Sequence, residues 1–402
     1  MNCNAYLTFR VPLVCLALLL AFVPSRKAVA QADTVRFATF NTSLNRDARS
    51  KLVNDLKTPD NVQARKIAEI VQRVRPDVLL LNEVDYDKRH EAIRLFQENY
   101  LSQSQNKQAP IEYEYQFLAG VNTGVDSKLD LNQNGKTGEP NDAFGFGEFP
   151  GNFGMAVLSR FPIELDSIRT FRMFRWKDMP DAKLPNKSDS SKAYYDDKAL
   201  RIFRLSSKNH WDVPIAIQNQ TVHFLVCHPT PPVFDGPEDQ NGCRNHDEIR
   251  LLADYVDPDR GAYFYDDRKT RGALMRDAQF VIAGDMNADP FDGDSKDNAI
   301  LQLLNHSRIN SSFTPTSSGA FEQAKLDGRG NVKHRGNHAA DTSNFNDDTV
   351  GNLRLDYVLP SNTLAVAGGG VFWPAEEEEG HELVNASDHR LVWIDIKLPS
   401  SR

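Results

Sequence analysis

Short apolar runs recur along the chain, separated by stretches whose apolar positions fall three or four residues apart. The runs predict strands at "VRFATFN" (35–41), "PDVLLLNEVD" (76–85), "GMAVLSRFPI" (154–163), "TVHFLVCH" (221–228), "QFVIAGD" (279–285), "RLDYVLPS" (354–361) and "LVWIDIKL" (391–398). Helical spacing predicts helices over 61–74, 90–101 and 246–256. Strands and helices alternate early, and the later strands lie closer together, which predicts a layered α+β domain. Two long polar stretches, near 120–152 and 172–214, interrupt the pattern. They exceed ordinary connections and are expected as elaborated loops of one domain spanning 31–402.

The first thirty residues have another pattern. Arg10 precedes "VPLVCLALLLAFV", and Ala28-Val29-Ala30 precedes Gln31. A basic start, a short apolar run and a small-x-small exit predict a signal peptide, 1–30, cleaved after Ala30. The run is too short for a membrane span of about 20 residues, so the protein is expected to be secreted or periplasmic rather than integral to a membrane. The 402-residue chain is 40% hydrophobic and 25% charged, in the range of soluble globular proteins. Residues 1–30 carry Arg10, Arg26 and Lys27 and no acids, so their removal takes the formal charge from −8 to −11. Such a chain gains little from non-specific attraction to polyanions. Cys227 and Cys243 remain after cleavage, an even pair in an oxidising compartment, and are expected to form a disulfide.

Candidate chemistry gathers where strands end. Asn41, Glu83, His228, Asp285, Asn287, Asp356, Asp388 and His389 each stand at or beside a predicted strand terminus. Carboxylates, amides and imidazoles are costly to bury unless paired or bound to a cation, and loops at one sheet edge assemble sites from distant segments. In "FVIAGDMNADP" (280–290), Asp285 and Asn287 are two apart and share a face of the strand exit. Glu83 and Asp388 offer hard oxygens suited to Mg²⁺, Mn²⁺ or Ca²⁺. No Cys/His cluster supports zinc catalysis, no serine sits in a nucleophile elbow, and no Gly-rich phosphate loop precedes a helix. Hard cation, histidines and no covalent nucleophile point to water attacking phosphorus.

The ordered series "FNTS", "NEVD", "GMAVLSRFPI", "CHPTPP", "GDMNADP", "LDYVLPS" and "SDHRLV" resembles the endonuclease/exonuclease/phosphatase superfamily, from about residue 34 to 398. The resemblance implies a four-layer α/β sandwich, two mixed sheets face to face with helices outside. It implies that Glu83 holds the cation, with Asn41 and Asp388 contributing directly or through water. Asp285 and Asn287 match the pair that orients the attacking water and grips a phosphate oxygen. Asp356 and His389 match an Asp–His couple, and His228 matches a second histidine acting on the phosphate or leaving group. One departure stands out. DNase-like members place a carboxylate near the "GMAVLS" strand as partner of that second histidine, whereas here Asn152 and Phe153 occupy the neighbourhood, with Glu148 the nearest acid; His228 is then expected either to be held by an amide or to serve only as a neutral donor, and Asn152 is a candidate for substrate binding.

Other signals are secondary. Asp130, Asn132 and Asn134, followed by Gly135, resemble the first half of an EF-hand loop, with Asn141 rather than glutamate at the twelfth position; a structural Ca²⁺ site competes with an Asx-rich turn. His338 (with His334) and His210 (with Lys208 and Trp211) are candidates for substrate contact. Arg244 suits a phosphate by its guanidinium geometry. The sequence therefore predicts an exported, divalent-metal-dependent phosphodiesterase acting on nucleic acid, a phospholipid head group or a small phosphoester. A phosphomonoesterase, a sphingomyelinase-like phospholipase and a catalytically silent binding protein remain alternatives, and no feature marks an obligate protein partner.

Overall fold

Alternation along the strands sorts side chains onto two faces, and that sorting builds the layers. The computed structural model describes Met1 and residues 34–187, 192–326 and 329–398. The chain divides into Met1–Ala32 and Asp33–Arg402. The expected signal peptide and its cleavage point lie, Met1 apart, outside the described residues, and every described element of secondary structure belongs to the second unit.

The strands are β1 (Val35–Asn41), β2 (Val78–Asn82), β3 (Tyr115–Phe117), β4 (Met155–Ser159), β5 (Arg169–Thr170), β6 (His210–Ile217), β7 (Gln220–Cys227), β8 (Gln279–Asp285), β9 (Ser343–Asn344), β10 (Asn352–Leu353), β11 (Asp356–Pro360), β12 (Ala365–Val371) and β13 (Val392–Lys397). One sheet runs β12-β13-β1-β2-β4-β3 and the other β11-β8-β7-β6-β5, with β9 and β10 as a separate ribbon. Both sheets are mixed, with β1 parallel to β2 and β7 parallel to β8 among antiparallel neighbours.

Val35, Phe37, Val78, Leu80, Met155 and Val157 face Val222, Phe224, Val226, Val281 and Ala283 in a core between the sheets. The alternate residues Ala38, Phe40, Leu79, Leu81, Ala156 and Leu158 pack outward with Ile67, Ala68 and Val71 of the helix Val62–Val74. Leu225, Phe280 and Ile282 pack outward on the opposite side with Ile249, Leu252 and Ala253 of the helix Gln240–Tyr255. Helix, sheet, sheet, helix: this is the α+β four-layer sandwich expected.

Several elements depart from the periodic pattern. The helix expected at 246 begins at Gln240, because polar Gln240, Asn241 and Gly242 hide its first turns. The second polar stretch ends in β6, whose Pro214 argues against a strand by sequence; here the proline pairs with His223 in the ladder with β7. β12, "AVAGGGV", is a glycine-rich edge strand and gives no hydrophobic signal. The expected disulfide is absent. Cys227 and Cys243 are free buried thiols. The Cys227 Sγ lies 3.5 Å from the Met286 Sδ, packed in the core, and burial raises both thiol pKa values, that of Cys243 to about 11.

Gly284 sets how closely β8 approaches β7. Its φ is +156°, and a Cβ there would stand 2.2 Å from the Cys227 carbonyl oxygen, one residue before each of His228 and Asp285. Gly284→Ala is expected to cost at least about 1–3 kcal/mol in urea unfolding through backbone strain. An unchanged unfolding midpoint would contradict this role.

Candidate active site

β1 is parallel to β2 and β7 is parallel to β8, and the carboxyl ends of these two pairs bring Asn41, Glu83, His228 and Asp285 to one edge. The exits turn sharply. Ser43, Glu83 and Asn287 have φ of +48°, +60° and +50°, left-handed conformations that cost about 1–3 kcal/mol each and swing the chain away from the strand direction.

The convergence is on one atom. Asp285 Oδ2 accepts from Asn41 Nδ2 at 3.0 Å and lies 3.3 Å from His228 Nε2 and 3.6 Å from His389 Nε2. Its other oxygen accepts the Asn287 backbone N–H at 2.9 Å. Burial would raise this carboxyl, but the charges of His389 and His228 and the donated hydrogen bonds hold it well below the usual range, so it is ionised. On the far side of the imidazole, His389 Nδ1 donates to Asp356 Oδ2 at 2.8 Å, and the Thr342 hydroxyl donates to the same oxygen at 2.8 Å. Burial alone would lower His389; the carboxylates Asp356 and Asp285 outweigh it and push its pKa up to about 10. His389 is therefore an imidazolium gripped between two carboxylates. Asp285, Asp356 and His389 place potential ligand atoms within 4.8 Å of one another.

Glu83 Oε1 lies 4.0 Å from His228 Nε2. Among the described residues its carboxylate accepts no hydrogen bond, which leaves it open to a cation. Asp388 is exposed, and its Oδ1 accepts from the Ser43 hydroxyl at 2.8 Å, two residues after Asn41.

The sequence model of the Endonuclease/Exonuclease/phosphatase family matches residues 38–389. The chain belongs to this family. Similar solved structures include an endonuclease/exonuclease/phosphatase from Beutenbergia cavernae DSM 12333, at 18% identity and TM-score 0.47, covering 91% of this chain and 72% of that one. Sphingomyelinase C from Streptomyces griseocarneus stands at 14% and 0.46, covering 90% and 99%. The human Nocturnin catalytic domain with bound sulfate anion stands at 13% and 0.43, covering 90% and 93%. No curated protein matches.

Against the family pattern, several expected site residues are occupied elsewhere. Asn152 does not hold His228: its amide donates to Asp85 Oδ1 at 2.9 Å and to the Arg46 carbonyl, and its oxygen accepts from the Glu148 N–H. Among the described residues, the buried His228 Nδ1 has no hydrogen-bond partner. Arg244 is not a phosphate contact. It is buried in its helix, donating to the carbonyls of Leu205, Arg204 and Phe144, with its guanidinium over Phe203. His210 is likewise structural: Nδ1 meets the Ser206 hydroxyl at 2.6 Å, Nε2 meets the Glu248 carbonyl at 3.0 Å, and burial lowers its pKa to about 4. His338 stacks against His334 and lies 3.4 Å from Asp341 Oδ2, outside the Asp285 contacts. The Asp130 loop is a set of Asx turns rather than a calcium cage. Asp130 accepts the N–H groups of Asn134 and Gly135, Asn132 accepts that of Asn134, and the Asn134 amide donates to Glu139.

Two residues gain importance. Thr342, which carries no sequence signal, also accepts the N–H groups of Leu355 and Asp356 and so fixes the carboxylate that fixes His389. Lys208 stands out in the sequence only as a neighbour of His210. It is buried, its Nζ donates to the Pro229 carbonyl at 3.3 Å, and burial lowers its pKa against the opposing charges of Glu248, Glu83 and Asp285.

The sign of the His389 shift fixes a pH dependence. Its folded pKa of about 10 exceeds the ordinary 6.5, so its contribution to stability is fully present below pH 6.5 and is lost as pH rises to about 10. In metal-free protein, the fall in unfolding free energy over that window is expected to shrink in His389→Ala. Equal slopes for both proteins would contradict it.

Proposed function

We propose that the protein is an exported, divalent-metal-dependent phosphodiesterase in which water attacks phosphorus directly. The observation that carries the reading is the buried Asp285 carboxylate held between His228, Asn41 and the Asp356-paired His389.

Glu83 would hold the cation, with Asn41 and Asp388 beside it, and their hard oxygens fit Mg²⁺, Mn²⁺ or Ca²⁺. When bound, the cation supplies charge neutralisation at the phosphoryl oxygens. The remaining work falls to the chain's own groups. Asp285, ionised at neutral pH, aligns the attacking water and accepts its proton, while the Asn287 amide, one N–H of which donates to the Pro229 carbonyl at 3.2 Å, offers its other N–H to a phosphoryl oxygen. His389 is already protonated, so it stabilises the developing charge as a donor rather than taking up a proton. Asp356 keeps its Nδ1–H engaged and Nε2 directed at the reacting side. Among the described residues no carboxylate backs the His228 Nδ1, and His228 serves as a donor toward the phosphate or leaving group. Two histidines for the two sides of the phosphorus favour a diester over a monoester.

Purified protein with Mg²⁺ or Mn²⁺ is expected to hydrolyse bis-p-nitrophenyl phosphate and to lose that activity in EDTA. Glu83→Gln and His389→Ala are each expected to lower kcat by about 10²–10⁴. Turnover of p-nitrophenyl phosphate at a higher kcat/KM than the diester would favour a monoesterase. No turnover of any phosphoester by folded protein would favour a silent binding protein.

Export is supported by the basic start, the apolar run and the Ala28-Val29-Ala30 exit. Mass spectrometry of the protein recovered outside the cytoplasm is expected to give Gln31 as the first residue; retention of residues 1–30 would oppose export.

A further inference from the structure

The second polar stretch has a use that the catalytic reading does not absorb. Together with residues 265–271 it walls a cavity of about 580 Å³ lined by Arg175, Arg201, Arg204, Lys269 and Arg271, with no acidic residue in the lining. Arg175 is paired with Asp178 at 2.7 Å. Among the described residues, no ion pair reaches Arg201, Arg204, Lys269 or Arg271. Arg204 lies over the Phe144 ring at 4.0 Å and Lys269 over Tyr265 at 4.8 Å, so both cations are held at the wall on aromatic faces. Burial first, and then the neighbouring charge of Arg172, lower the Arg204 pKa to about 10 against the opposing charge of Asp267, and the guanidinium donates to Asn122 Oδ1 at 2.6 Å.

A second cavity, of about 1,020 Å³, has Asp85, two residues beyond Glu83, in its lining; its wall meets that of the first where the Met173 N–H of the first donates to Asp267 of the second at 2.7 Å. It carries Arg49, Lys57, Lys88, Arg89 and Arg172. Its acids are mostly occupied. Asp85 accepts from Arg46 N and Asn152, Asp87 accepts three backbone N–H groups at the start of the helix Glu91–Phe96, and Asp267 accepts from Thr170 and Met173; Glu91 completes the acidic set. These hydrogen bonds leave the four carboxylates charged, against the five cations of the lining. Among the described residues no ion pair reaches Arg49, Lys88, Arg89 or Arg172. The Arg172 guanidinium lies over Gly120 in this cavity, and Asn122 ties the two walls together: its amide N–H donates to the Arg172 carbonyl at 2.8 Å and its oxygen accepts from the Arg204 guanidinium of the other cavity at 2.6 Å.

A protein of net charge −8 thus lines one hollow with five cations and no acid, and the hollow beside it with five cations against four acids. Like charges held together destabilise a surface unless an anion is to occupy it. A small polyphosphorylated ligand fills one such hollow and leaves the other empty. A chain of phosphodiesters threads both.

We propose that the two cavities form one track that binds the backbone of a single-stranded nucleic acid, with cations placed for its phosphates. Its service as a substrate track leading toward Glu83 and Asp285 rests on the phosphodiesterase reading above; strand binding does not.

The test is fluorescence anisotropy of a labelled single-stranded oligonucleotide of about 20 nucleotides, in EDTA, between about 50 and 200 mM salt. The wild type is expected to bind with a steep salt dependence. The combined variant Arg201→Glu, Lys269→Glu, Arg271→Glu is expected to bind at least tenfold more weakly. Its slope of log Kd against log salt should fall by about 2, since each single-strand phosphate contact contributes about 0.7. A variant of native Tm that binds like the wild type overturns the track, as does a wild type that binds no oligonucleotide at low salt. Binding to phosphatidylglycerol vesicles that an oligonucleotide does not displace also overturns it. A second measurement needs no variant: amine acetylation of the wild type, read by mass spectrometry, should be slowed by the strand at both Lys88 and Lys269. Equal acetylation with and without strand contradicts the proposal. Failure of the phosphodiesterase reading shows differently, as intact strand binding with no turnover of bis-p-nitrophenyl phosphate, and that result supports the track.

Discussion

A single buried carboxylate oxygen organises this end of the molecule. Asp285 Oδ2 gathers groups from four distant parts of the chain: Asn41 from β1, His228 after β7, His389 before β13, and through His389 the Asp356 of β11. An ionised carboxylate so deep in a protein is tolerated only where cations and donors surround it. The sandwich meets that demand because β1 runs parallel to β2 and β7 parallel to β8, and because Gly284 admits β8 close against β7. Left-handed residues at the exits then turn the side chains toward one another. Fold and site are therefore one electrostatic solution: removing the anion leaves two histidines and an amide without a common partner.

Much of this is legible in the sequence because strands are short, periodic and end abruptly. β1, β2, β4, β7, β8, β11 and β13 stand within a few residues of their expected limits. Asp285, Asn287, Asp356 and His389 are visible as polar residues where an apolar run stops. Less legible is everything set by tertiary packing. Arg244, His210 and Asn152 have the right chemistry for a phosphate, and nothing local distinguishes them from ligands. Only the fold reveals that their polar atoms are already engaged by Leu205, Ser206 and Asp85. The same holds for the thiols of Cys227 and Cys243, whose even number and inferred compartment suggest a bond that burial in the core replaces. Thr342 leaves no trace in sequence, since a threonine before a short ribbon carries no pattern of its own.

Charge tells a parallel story at a larger scale. Summed over the chain, acids prevail, and by that sum a polyanionic substrate is disfavoured. The sum hides an asymmetry: acids near the second cavity are largely held by backbone amides and hydroxyls, while many of the cations around both cavities make no ion pair among the described residues. Loops that interrupt the periodic pattern supply the first cavity, so the part of the sequence with least regular structure carries the feature that most separates this surface from a bare sandwich.

The most direct measurement of the central claim is a nuclear magnetic resonance titration of the histidine rings in metal-free protein. If Asp285 and Asp356 grip an imidazolium between them, the His389 ring titrates far above the ordinary 6.5, near 10, and Asp285→Asn or Asp356→Asn lowers that value. A His389 ring that titrates close to 6.5 in the wild type and ignores both substitutions would contradict it.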